Sequence, residues 1–161
     1  MSLGSQPGVA VAIVTGGSSQ PARDVARGLA ARGWPVVVGY LEDQSGAEAT
    51  VGQIIAAGGA TVAVRADLTD DLDVQRMFTE SIAAFGGVDV IVHMTTDNAD
   101  LLYSHAARYL RRQGAIVASY VAEQCPPQVA RQLRERGITV ERVLPEDTLA
   151  FLDRWSQQTM G

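Results

Sequence analysis

Few side chains in this sequence can exchange a proton near neutral pH, and each stands without an evident partner. His93 follows the apolar run Val88 to Val92, so it sits where a strand ends. A titrating imidazole at that place could act as an acid or a base. The plainer reading of a lone histidine is structural. His105, Tyr103 and Tyr109 fall within one amphipathic helical stretch and are expected to be packed rather than functional. Ser119 and Tyr120 are neighbours in a strand pattern, so they point to opposite faces and cannot act as a pair. Gln124 stands four residues beyond Tyr120. A tyrosine with no cation beside it titrates near about 10. All 13 Lys-plus-Arg positions are arginine, so no reaction that needs a lysine ammonium is open to this chain alone. The single cysteine, Cys125, excludes an internal disulfide framework and fits a reducing, cytoplasmic setting.

The elements that must position these groups alternate between strand and helix. Val9 to Val14, Val36 to Gly39, Thr61 to Arg65, Val88 to Val92, Ala115 to Ser119 and Ile138 to Val143 read as strands, short and rich in β-branched residues. Helices are expected over Pro21 to Arg32, Gly46 to Ala57, Asp70 to Phe85, Leu101 to Arg112, Pro127 to Arg136 and Thr148 to Trp155. Ser19 is the expected cap of the first, with Pro21 near its first position. Val25, Ala26, Leu29 and Ala30 share one face, Val51, Ile54 and Ile55 are assigned inward, and the third helix carries Leu72, Met77, Phe78, Ile82 and Phe85. Alternation of this kind implies α/β architecture, a three-layer Rossmann-type doubly wound parallel sheet of about six strands. Such sheets bind ligands at the carboxyl ends of their strands. The loops after Val14, Gly39, Arg65 and Val92 are therefore the places to look.

The first of those loops reads Thr15-Gly16-Gly17-Ser18-Ser19-Gln20-Pro21-Ala22. It is followed in order by VVVGY, AAGGATVAVRADLTD, AFGGVDVIV, GAIVAS, RGITVERVLP and EDTLAFL. This ordered set resembles the short-chain dehydrogenase/reductase family. The resemblance implies an NAD(P)-binding oxidoreductase fold whose glycine turn meets a cofactor pyrophosphate at a helix N-terminus. By that resemblance Thr15, Gly16, Gly17, Ser18, Ser19, Gln20, Tyr40, Asp67, Leu68 and His93 are the cofactor-binding candidates. Gln20 stands where the family has its second motif glycine, at the point of close approach, and Ala22 replaces the third. Asp67-Leu68 matches the pair that meets the adenine ring; alternatively Asp67 and Thr69 only cap the next helix. No acidic residue adjoins Tyr40, which leans towards NADP over NAD, although no arginine stands beside it for a 2′-phosphate.

The resemblance also implies a catalytic Ser, Tyr and Lys, and that set is missing. His93-Met94-Thr95-Thr96 replaces Asn-Asn-Ala-Gly, and the stretch from Thr96 to Gly114 is shorter than in relatives. The sequence implies a catalytically degenerate member, with His93 the candidate catalytic group; a further reading is different chemistry at the same mouth using His93 and Thr95. The alternative is a non-catalytic pseudo-Rossmann partner or scaffold domain that binds no dinucleotide. One domain is expected across residues 1–161, with 1–7 a small polar lead that is disordered or appended. No metal site is expected. A net charge of −5 argues against a nucleic-acid partner, and no apolar run is long enough for a membrane span. A homo-oligomer or protein partner is expected where the chain ends short of a seventh strand and leaves a sheet edge open.

Overall fold

A computed structural model describes residues 9–120 and 125–160. Six strands pair in the order β3-β2-β1-β4-β5-β6, all parallel. They are β1 (Ala12–Val14), β2 (Val36–Tyr40), β3 (Thr61–Arg65), β4 (Val88–His93), β5 (Leu110–Ala118) and β6 (Thr139–Arg142). The helices are α1 (Ala22–Ala31), α2 (Gln44–Ala56), α3 (Asp71–Phe85), α4 (Asp100–Tyr109), α5 (Pro127–Glu135) and α6 (Thr148–Thr159). Strand order reverses between β1 and β4, which opens a crevice at their C-terminal ends.

Alternation along each strand builds two core layers. Ala12, Val14, Val36, Val38, Val90, Val92 and Val117 face a layer shared with α1, α2 and α6. Ile13, Val37, Val64, Ile91 and Ile116 face the layer of α3, α4 and α5. The α/β reading from the sequence is therefore correct, and burial on both faces explains the apolar runs of the central strands β1, β2 and β4. α6 is held against α1 by a bidentate pair, Arg32 to Asp153 at 2.6 and 2.9 Å, and by an edge-on contact of Trp34 with Trp155.

Three local expectations need correction. Helix was expected through Arg112, but β5 begins at Leu110, directly after Tyr109. The cause is a distant arginine: Arg136 donates to the carbonyls of Ala107 (2.9 Å), Arg108 (3.0 Å) and Leu110, taking the acceptors that another turn of α4 would need. Ile55 is expected inward, yet it is 58% exposed, and Leu72 on α3 is 72% exposed. The buried stripes run instead through Ala47, Thr50 and Ile54 on α2 and through Val74, Met77, Phe78 and Ser81 on α3. Finally, Ser19 supplies no side-chain cap to α1. Gln20 does so in its place, its Oε1 accepting from the Asp24 amide at 3.2 Å.

Candidate nucleotide site

The C-terminal ends of β1, β2 and β3 and the loop after β4 enclose a cavity of about 380 Å³. Its floor is the turn after β1. Gly16 has φ +70°, and a Cβ there would meet the Thr95 methyl at 2.8 Å, so the turn requires glycine twice over. Gly17 lies behind the cavity wall. Its amide donates to Gly39 O at 3.1 Å, and its carbonyl accepts from the Thr50 hydroxyl at 2.6 Å. Arg23 completes this anchor, donating to Thr50 Oγ1 (2.9 Å), Ser18 O (2.7 Å) and Gly46 O (3.1 Å). The cation nearest the turn in sequence is thus spent on fixing the turn to α2.

The structure places the sequence candidates in three groups. Thr15, Gly16, Ser18, Tyr40, Asp67 and Leu68 line the cavity together. Ser19 and Gln20 are exposed and outside the lining, and the Gln20 amide is turned along α1, bonded to Asp24 at 3.0 Å. It does not occupy the point of close approach that the sequence reading gave it. His93 is fully buried beneath the site. Its Nε2 faces the Asp97 carbonyl at 3.1 Å, an acceptor only, so Nε2 carries hydrogen and Nδ1 accepts from the Thr15 hydroxyl at 3.0 Å. The same hydroxyl accepts from the Met94 amide at 2.9 Å. His93 is a strut between β4 and the glycine turn, and both ring nitrogens are engaged.

Asp67 does not cap α3. That cap is Asp70, which accepts from the Asp73 amide at 3.0 Å. Asp67 instead accepts from the Thr69 hydroxyl (2.7 Å) and amide (2.9 Å), and these bonds hold its carboxyl below the usual aspartate range. It is therefore a persistent negative charge at the cavity mouth. Thr95, which the sequence pairs with His93 as a further chemical candidate, lines the cavity, as do Glu42, Asp43, Met77 and Asp97, which sequence reasoning missed. The signal for Glu42 and Asp43 was present in the sequence: they follow Tyr40 by two and three residues. Asp43 also caps α2, accepting from Gly46 N at 2.9 Å.

Beyond β5, Ser119 is 2% exposed, with its Oγ unpartnered among the described residues, while Tyr120 is 43% exposed. The two do point apart. Gln124 lies outside the described residues. Among the described residues no three His, Cys, Asp or Glu side chains are grouped to hold a metal, and no helix is long and apolar enough to cross a membrane.

The short chain dehydrogenase family model matches residues 10–107. This chain belongs to the short-chain dehydrogenase/reductase family. It is 30% identical to a 3-oxoacyl-(acyl-carrier-protein) reductase FabG of Staphylococcus aureus, covering 83% of this chain and 72% of the relative. That alignment runs over 178 positions, more than the 161 residues of this chain, so the relative carries insertions absent here. An uncharacterized oxidoreductase of Methylorubrum extorquens is 39% identical over 83 residues, and there the chain spans 34% of the relative. Among solved structures, a short-chain dehydrogenase/reductase from Serratia marcescens superposes with TM-score 0.75 at 20% identity, covering 91% of this chain and 90% of that one. A Burkholderia cenocepacia short chain dehydrogenase in complex with NADP gives 0.67 at 25% identity, covering 87% and 74%. The six-stranded parallel fold is thus the family's own.

Proposed function

We propose that this protein binds an adenine dinucleotide through the cavity at β1, β2 and β3 and does not reduce carbonyls by its family's route. The observation that carries the binding half is the lining itself. Gly16 offers a floor with no side chain, Tyr40 and Asp67 stand where ribose hydroxyls and an adenine edge would find partners, and Leu68 and Met77 supply apolar walls. The group fits in this half of the site. When bound, a nicotinamide dinucleotide supplies hydride transfer chemistry. The chain's own residues would hold the adenosine end, with Asp67 accepting hydrogen bonds as an ionised carboxylate.

Cofactor choice follows from charge. The sequence lean towards NADP rested on the absence of an acidic neighbour to Tyr40. Glu42, Asp43 and Asp67 all line the cavity and, among the described residues, no arginine does, which favours an unphosphorylated ribose and hence NAD. Loss of catalysis follows from proton transfer. The chain has no lysine to acidify a phenol, and His93 is buried with both nitrogens bonded. The same acidic lining favours the second reading, a scaffold domain that binds no dinucleotide and acts through a partner or a second copy. Calorimetric titration separates the two. NADH is expected to bind, and more tightly than NADPH by about tenfold. No heat with either at millimolar concentration would leave the scaffold reading. Turnover of NADH or NADPH with a ketone at ordinary enzymatic rates would overturn the loss of catalysis.

A further inference from the structure

At the opposite side of the sheet from the nucleotide cavity, β6 pairs with β5 alone among the described residues. Its outer edge therefore presents a row of backbone donors and acceptors. Apolar side chains are exposed along the same edge, Val140 at 36% and Leu144 at 51%. Beside it a groove of about 370 Å³ is shared by β6, α6 and the turn between them, and is lined by Glu141, Arg142, Leu144, Asp147, Phe151 and Arg154. The groove holds two acids and two arginines, all exposed, and none of these four side chains makes a hydrogen bond or ion pair with a described residue. Elsewhere the chain does pair such groups: Arg32 with Asp153, Arg76 with Asp73 and Glu80, and Arg111 with Asp89. The other edge strand, β3, carries Arg65 and no acid to answer it. Only the β6 edge is thus its own electrostatic complement.

We propose that β6 and its groove form the contact face between two copies of this chain, docked about a two-fold axis with the β6 strands antiparallel. In such a contact residue i meets j while j meets i, so Glu141 and Asp147 of each copy are offered to Arg142 and Arg154 of the other. Backbone hydrogen bonds between the two edges supply affinity, as in any strand addition, and the charges fix orientation. A net charge of −5 makes two copies repel over most of their surface, which leaves a charge-balanced groove as the favoured place of approach. The inference is independent of nucleotide binding, because none of the groove residues lines the cavity at β1, β2 and β3.

Sedimentation equilibrium of the intact chain tests this without any activity readout. A mass of about 34 kDa, twice the 17.1 kDa of one chain, is expected at low salt, with the dissociation constant rising about tenfold between about 50 and 500 mM salt. Arg142→Glu with Arg154→Glu leaves a groove of acids, and Glu141→Arg with Asp147→Arg leaves a groove of bases. Each double variant is expected to be monomeric, since like charges then meet. Each should also keep the wild-type circular dichroism, since the exchanged side chains are exposed and make no bonds. Mixing the two variants is expected to restore a dimer. A wild-type chain that stays monomeric at about 200 µM would overturn the inference. So would a dimer that both variants leave intact, or monomeric variants that mixing fails to join.

Discussion

The C-terminal edge of the sheet has two halves built on opposite plans. At β1, β2 and β3 the chain ends each strand in small or polar residues, Thr15-Gly16, Gly39-Tyr40 and Ala66-Asp67, and their loops stand apart around an open cavity. At β4 and β5 the corresponding residues are His93, Met94 and Ser119, and they are packed together with the polar atoms of His93 turned inward. On the proposed reading the first half is the nucleotide site, and the second is buried core. A fold needs only its packing to persist, whereas catalysis needs exposed groups with displaced proton affinities.

Substitutions at the boundary between these halves should break them differently. His93→Ala would remove a fully buried ring and two hydrogen bonds, and should cost about 2–4 kcal/mol in chemical denaturation. A functional histidine would instead lose binding or turnover at unchanged stability. Gly16→Ala places a methyl against Thr95 at positive φ, and should cost about 1–3 kcal/mol while abolishing nucleotide heats in calorimetry. Asp67→Asn should leave the melting temperature nearly unchanged and weaken NAD by about fivefold, since its side-chain hydrogen bonds go to Thr69 alone among the described residues, two positions along the chain. Because the Thr69 bonds lower the Asp67 proton affinity, wild-type NAD affinity should stay flat from neutral pH down to the ordinary aspartate range.

The smallest effect lies far from either half. Arg32 holds Asp153 below the usual carboxylate range, so their contribution to stability is present above the unfolded-state value and lost as pH falls through the folded one. Asp153→Asn should cost about 0.5 kcal/mol at neutral pH, the pair being half-exposed, and should remove that part of the acid sensitivity below about pH 4. Urea melts of both proteins at a series of pH values would show it.

The open half was legible in the sequence; of the closed half, the structural role of His93 and the divergence of Ser119 and Tyr120 were legible but the partners of His93 were not. Strand positions, helix order and six lining residues follow from apolar runs, turn residues and the ordered motifs, because local pattern decides them. The fate of His93 depends on Thr15 and Asp97, one of them 78 positions away, and no local signal reports such a meeting. The early end of α4 depends in the same way on Arg136. Gln20 misled because its residue type suggested obstruction, while its side chain had an alternative partner in Asp24 one turn along. Residue type names a hazard; contacts decide whether it is realised.

Amide chemical-shift mapping during titration with NAD tests the contrast between the halves most directly. Shifts are expected at Gly16, Ser18, Tyr40, Asp67 and Leu68, with Ser119 and Val143 unmoved. Shifts of equal size at Ser119, or none at Gly16 and Asp67, would contradict a nucleotide held at one half of the edge alone.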